Sequence, residues 1–248
     1  MDDIIETRDL TKDYGQDGIV TRALRGVNLT LAAGEFTAMA GPSGSGKSTL
    51  LNIIGGLDRP TSGTARVQGR DLSEMSGTDL SRMRRDCIGF IFQAYNLIPV
   101  LTALENAEYV LMLQGVPARE REERVRALLK EVGLEGMEHR FPRELSGGQQ
   151  QRVAIARAIA SEPALVLADE PTANVDSKTA KGLLELMRHL NEEKGITFLF
   201  STHDQAVMKQ AKRLIILQDG HIIHEDHKGE KTSPDSRNGK RFSPQPLE

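Results

Sequence analysis

A chain of 248 residues can bury one full hydrophobic core, and this length suits a single α/β domain with an appended subdomain better than two equal domains. Its 32 basic and 35 acidic side chains leave a formal charge of −3, a mixed surface that gives no reason to expect nucleic acid as the main partner. The lone cysteine, Cys87, excludes an internal disulfide, suits a reducing compartment and, with no motif around it, reads as a small buried hydrophobe. The first residues, Met1-Asp2-Asp3, are acidic where a signal peptide would be basic, and no apolar run is long enough to cross a bilayer. The expectation is a cytoplasmic chain, with any membrane span supplied by another polypeptide.

Residues 27–31 and 35–40 read as short strands, and residues 47–54 as the helix that follows. Between them stands Gly41-Pro42-Ser43-Gly44-Ser45-Gly46-Lys47-Ser48, with Thr49 on the first helical turn. A loop of the form G-x-x-x-x-G-K-S turns successive backbone N–H groups and a helix N-terminus on a polyphosphate. Lys47 then reaches the outer phosphates and the Ser48 hydroxyl ligates Mg²⁺. Alone, the loop specifies a nucleotide and no more.

Residues 88–92 form an apolar strand that ends at Gln93. Residues 95–144 then show helical spacing and no convincing strand, including a helix over 102–113 and a charged one opened by Pro117 and reaching residue 132. Glu120 with Arg124 and Glu122 with Arg126 stand four apart and read as a solvated, ion-paired face rather than a binding surface. Apolar runs at 164–168, 197–201 and 214–217 are unbroken by polar alternation, as central strands buried on both faces are. Residues 177–194 carry Leu183, Leu184, Met187 and Leu190 at helical spacing. This alternation predicts a mostly parallel sheet covered by helices. His221, His224 and His227 recur every third residue, but odd spacing on a strand sends side chains to opposite faces, so solvated histidines are expected rather than a metal site. The stretch 227–248 is polar and reads as a disordered tail.

The run 164–168 delivers Asp169 and Glu170 at its C-terminal end, where ligands sit in open α/β sheets. Asp169 resembles the second Mg²⁺ contact of P-loop ATPases, held mainly through water, and Glu170 is placed to polarise the water that attacks a γ-phosphate. Leu145-Ser146-Gly147-Gly148-Gln149 leads a helix through Val153, Ile155, Ala156 and Ile159. Ser146 and the N–H groups of Gly147 and Gly148 thus crown a positive helix end, a second phosphate-binding surface.

The order of phosphate loop, residues 145–149 and Asp169-Glu170 resembles the ATP-binding cassette (ABC) ATPases, and the resemblance covers residues 4–225. It implies ATP as substrate with Mg²⁺, and one nucleotide-binding domain over residues 1–226. That domain would be an α/β P-loop NTPase core with an antiparallel β part near the N-terminus and a helical subdomain inserted over about 95–160. The resemblance makes Glu170 the general base. It gives Gln93 the Q-loop position, which contacts Mg²⁺ and the attacking water only when the subdomain swings in. His203, in Ser201-Thr202-His203-Asp204, takes the switch position on the γ-phosphate, and Tyr14 takes the aromatic stack on adenine. The base-reading N-K-x-D motif of GTPases is absent, which favours ATP. In the family, Ser146, Gly147, Gly148 and Gln149 complete the site of the opposite subunit, so two chains pack head to tail around two ATP molecules. Ala173-Asn174-Val175-Asp176 fills the D-loop between the sites; the family usually has Ser-Ala-Leu-Asp there, so Asn174 and Val175 depart while Asp176 is kept.

Within the family, residues 50–63, Phe90-Ile91-Phe92-Gln93, Asn96-Leu97-Ile98-Pro99 and Thr102-Ala103-Leu104-Glu105-Asn106 look most like cassettes of lipoprotein-release and macrolide-export transporters, and an extra loop over 15–22 fits them. That subgroup implies a homodimer formed on ATP binding, lying on the cytoplasmic face of the membrane against a separate permease. Tyr95, Leu97 and Ile98 read as an exposed groove for a short coupling helix of that permease, whereas Leu101 and Leu104 read as packing of the helical subdomain. SMC-like DNA ATPases share the motifs but insert coiled coils or zinc modules, and residues 93–146 hold neither a heptad run nor paired cysteines. A soluble translation factor of the family would carry two cassettes, and this chain carries one.

Overall fold

The computed structural model describes residues 3–16 and 19–227. In chain order it runs β1 (Asp3–Gln16), β2 (Ile19–Ala32), β3 (Phe36–Ala40), α1 (Lys47–Ile54), β4 (Ser62–Val67), β5 (Arg70–Asp71), α2 (Gly77–Cys87), β6 (Ile88–Ile91), α3 (Ala103–Leu113) and α4 (Ala118–Glu131). A 3-10 turn (Pro142–Glu144) precedes α5 (Gly147–Ile159), β7 (Leu165–Asp169), α6 (Ser177–Lys194), β8 (Thr197–Thr202), α7 (Gln205–Gln210), β9 (Arg213–Gln218) and β10 (His221–His227). The main sheet has the order β10-β9-β3-β8-β7-β6, parallel from β9 to β6 with β10 antiparallel at its edge.

Every residue of β3 and β8 is buried, the pattern of strands covered on both faces. Period-two alternation divides their side chains between two cores. Phe36, Ala38, Val166, Ala168, Phe198 and Phe200 pack under α3 to α6, with the Phe36 ring 4.6 Å from that of Phe200. Met39, Leu165, Leu167 and Leu199 face the other way, onto α1 and a second sheet of order β2-β1-β4-β5, which is antiparallel. Burial of this apolar surface, at about 25 cal/mol per Å², holds the layers together.

Capping fixes where the helices over the first core begin. Thr102 and Glu105 form a capping box at α3, and Ser146 and Gln149 form another at α5. The Asp176 carboxylate accepts from the Thr179 hydroxyl and from the N–H groups of Thr179 and Lys178, which holds it below the usual carboxylate range and starts α6.

Several details differ from the sequence reading. The extra loop expected over 15–22 is the end of a hairpin, since β1 runs to Gln16 and β2 starts at Ile19; residues 17 and 18 lie outside the described residues. The strand expected at 27–31 is the second half of β2. Strand β1 escapes alternation because bulges interrupt its pairing between Thr7, Leu10 and Thr11, with Asp9 at φ 45°. Cys87 is half-buried rather than a core residue, because it ends α2 at the rim of the second core; burial there pushes its thiol pKa up. His221, His224 and His227 are all exposed on β10. The polar tail lies outside the described residues beyond His227.

Candidate functional site

The chain leaves β3 directly into the phosphate loop. Gly44 and Gly46 have φ of 78° and 105°, a left-handed backbone that only glycine adopts without strain. A Cβ on Gly46 would lie 2.5 Å from the carbonyl oxygen of Ala23, so the loop also needs glycine for space. Lys47 is 8% exposed and arches back, its Nζ donating to the carbonyls of Gly41 at 2.7 Å and Pro42 at 3.0 Å. Pro42, Ser43, Gly44 and Ser48 are exposed, Thr49 is half-buried, and Ser45 is buried with its hydroxyl unpartnered. A glycine-rich loop that opens a helix N-terminus beside one lysine is an anion cradle.

Strand order then brings the other residues to the same edge. Adjacent strands lie about 4.8 Å apart, so the sequence β3-β8-β7-β6 places the loop, His203, Asp169-Glu170 and Gln93 side by side at the strands' C-terminal ends. Glu170 takes φ 47° and is pinned by its N–H, which donates to the Ser201 carbonyl at 2.9 Å. A non-glycine residue held so costs about 1–3 kcal/mol and persists where neighbours fix it, often at reactive sites. Its Oε1 lies 2.8 Å from His203 Nδ1, which leaves the histidine's other nitrogen directed elsewhere on a side chain 73% exposed. Such a pair can orient a water and take its proton.

Asp169 Oδ1 is buried with no hydrogen-bond partner. An orphaned carboxylate oxygen beside a phosphate loop is a fit for Mg²⁺ and its waters, with the exposed Ser48 hydroxyl as the other protein ligand. No group of three or more His, Cys, Asp or Glu among the described residues could hold a metal unaided, so such an ion would rely on the phosphates.

Tyr14 is 43% exposed, its hydroxyl donating to Asp58 Oδ2 at 2.7 Å and its ring facing Lys12 Nζ 4.8 Å from the centroid. Partial burial and the bond to Asp58 raise the phenol pKa. Lys12 also reaches Asp58 Oδ1 at 2.6 Å. Neither Lys12 nor Asp58 was legible as a site residue; their pairing with Tyr14 crosses from β1 to the segment after α1.

The second phosphate surface lies elsewhere. Ser146 is exposed, Gly147, Gly148 and Gln149 are half-buried, and α5 packs into the first core whereas α1 packs into the second, across the sheet. The turn at Ser146 and the phosphate loop thus open helices that pack into different cores. The Q-loop turn is tied to α5 and the D-loop: Arg157 donates to the carbonyls of Tyr95 at 2.9 Å and Asn96 at 2.5 Å, and its burial lowers its pKa. The sequence reading missed Arg157.

The segment expected as an open groove is partly closed. Tyr95, Leu97 and Ile98 are half-buried: the Tyr95 hydroxyl donates to the Asn174 carbonyl, Leu97 packs on the helical core, and Ile98 is bonded through its backbone to Asn106, which is fully buried. Beside them lies a groove of about 410 Å³ whose lining includes Leu57, Phe90, Phe92, Asn96, Val110 and Leu113. Leu57 and Leu113 are about half exposed.

Comparison with known proteins places these features. A family profile described as "ABC transporter" matches residues 24–173. A lipoprotein-releasing system ATP-binding protein, LolD of Anaeromyxobacter dehalogenans, is 50% identical over 220 residues, covering 88% of this chain and 92% of that one. A macrolide export ATP-binding/permease protein, MacB of Hyphomonas neptunium, is 46% identical over 220 residues, which are 89% of this chain and 34% of that protein. The solved ATP-binding cassette MJ0796, from Methanocaldococcus jannaschii, superposes with a TM-score of 0.85 at 44% identity, over 91% of this chain and 99% of that one, as a dimer bound to ADP and Pi.

Proposed function

The chain belongs to the ATP-binding cassette family of transporter ATPases, and from that premise we propose that it is the energy-supplying subunit of a lipoprotein-release or macrolide-export type of transporter, acting on a separate membrane permease. What carries the reading is the line of groups along one sheet edge: Lys47 of the phosphate loop, His203, Asp169, Glu170 and Gln93. No helix among the described residues is long and apolar enough to cross a membrane, so a permease would supply the span. The chain itself would lie on the cytoplasmic face.

The residues of the site divide the work. Backbone N–H groups of the phosphate loop and of the first turn of α1 hold the triphosphate, Tyr14 stacks on adenine, and Lys47 exchanges its two carbonyl partners for phosphate oxygens. Ser48, Asp169 and Gln93, together with the phosphates, would hold Mg²⁺, which would supply charge neutralisation. Glu170 orients the attacking water and accepts its proton, and His203, bonded to that carboxylate, would reach the γ-phosphate. Ser146, Gly147, Gly148 and Gln149 of a second chain close the site, with Asp176 of the D-loop alongside. The separation of α5 from α1 across the sheet supports that division. The permease docks beside Tyr95, Leu97 and Ile98, in the groove between Leu57 and Leu113, where a short apolar helix finds both side walls and Arg84, Arg85 and Arg157 at its rim.

Glu170→Gln tests the assignment. Turnover should fall by about 10²–10⁴, the contribution of a general base, while ATP binding persists and an ATP-bound dimer accumulates on size exclusion. Near-normal turnover would remove Glu170 from the role.

A further inference from the structure

We propose that Asn174 is a positioning residue for Gln93, and that with Tyr95 it forms a latch joining the Q-loop turn to the D-loop. The inference rests on the reading that Gln93 serves the nucleotide site. Gln93 is exposed and follows β6 by two residues. Its carbonyl oxygen accepts from Asn174 Nδ2 at 2.9 Å, and the carbonyl oxygen of Asn174 accepts from the Tyr95 hydroxyl at 3.1 Å. The two bonds bracket the turn, one before it and one within it. Both join segments about eighty residues apart in the chain.

The turn needs outside support. Tyr95 and Asn96 have φ of 58° and 50°, two successive left-handed residues that carry Cβ atoms. Arg157 of α5 holds both carbonyls, so the side facing the groove is fixed by a half-buried guanidinium. Asn174 holds the opposite side, and it is exposed. A Cβ on Gly147 would stand 2.8 Å from the Tyr95 hydroxyl, so the first glycine of α5 makes the room in which the latch closes. The Tyr95 hydroxyl thus sits where the Q-loop turn, the D-loop and the N-terminus of α5 meet. An exposed hydrogen bond contributes little stability, so the latch acts through the orientation of Gln93 and not through the fold.

The experiment is a double-mutant cycle on the full chain. Asn174→Ala should lower kcat about tenfold or more, as small misplacements of a reacting group do, with KM for ATP within about twofold and the melting temperature nearly unchanged. Tyr95→Phe should act in the same direction, and Asn174→Gln, which keeps the amide donor, should recover part of the loss. In a Gln93→Ala chain, Asn174→Ala should add nothing. Hydrogen exchange without nucleotide supplies a readout independent of turnover: the amides of Tyr95 and Asn96 should lose protection in Asn174→Ala. Unchanged protection, an equal loss of kcat in the Gln93→Ala background, or a loss that tracks melting temperature would each overturn the latch. Gln93→Ala with full turnover would instead sink the role of Gln93 itself, and the exchange result would still decide whether Asn174 holds the turn.

Discussion

The phosphate loop and the Q-loop turn lie on the same sheet edge, and each holds two residues in left-handed backbone, by opposite means. At the phosphate loop the conformation is intrinsic: Gly44 and Gly46 adopt it without strain, and Lys47 satisfies carbonyls five and six residues away. At the Q-loop turn it is imposed: Tyr95 and Asn96 carry side chains, and their carbonyls are held by Arg157, some sixty residues on. A cradle whose left-handed residues are glycines keeps its backbone conformation without a distant side chain to hold it. A turn that depends on α5 and the D-loop moves when either moves, which is what a link between a nucleotide and a permease needs.

The largest expected effect breaks the intrinsic half. Gly46→Ala adds left-handed strain of about 1–3 kcal/mol and drives a Cβ to 2.5 Å from the Ala23 carbonyl, so the backbone between β3 and α1 must shift. ATP binding measured by calorimetry should be lost and the melting temperature should drop by several degrees. Retained affinity would mean that the loop is held from outside, like the Q-loop turn, and would erase the contrast.

The same contrast explains what could be read from the chain. The helices at Lys47–Ile54 and Ser177–Lys194 match the expected bounds because local signals set them, a glycine turn in one case and an Asp N-cap with a terminal Gly195 in the other. The strand ends bearing Asp169, Glu170 and His203 were legible because buried parallel strands are unbroken apolar runs. Arg157, Lys12 and Asp58 were not, nor were the bonds made by Tyr14 and Asn174, since each acts through a partner more than forty residues away. The groove was displaced for a related reason. Leu97 looked free in a polar, turn-rich stretch, but Asn106 ties the backbone of Ile98 and Leu101 to α3 and draws Leu97 onto the helical core.

A second test addresses the output of the imposed half. Leu113 is 52% exposed at the end of α3 and walls the groove that Asn96 and Arg157 also line. Leu113→Asp should change stability by less than about 0.5 kcal/mol, as surface substitutions do, and leave ATP affinity unaltered, while abolishing co-purification with the cognate permease. Assembly that survives would move the docking surface away from the groove and leave the Q-loop turn without a visible output.

The smallest effect probes whether Tyr14 serves through its ring or its hydroxyl. Tyr14→Phe keeps the ring and removes the hydrogen bond to Asp58, so ATP affinity should stay within about twofold, whereas Tyr14→Ala removes a stack whose loss costs about 1–3 kcal/mol. Burial and the bond to Asp58 raise the phenol pKa in the folded chain, so the hydroxyl's contribution is complete below the unfolded value of about 10 and fades as pH rises through the folded one. The stability gap between wild type and Tyr14→Phe, read from urea midpoints, should therefore be constant near neutrality and close in strongly alkaline buffer. If Tyr14→Phe weakens ATP as much as Tyr14→Ala does, the hydroxyl and its tie to Asp58 and Lys12 position the base, and the adenine end would join the Q-loop turn as a part held from afar.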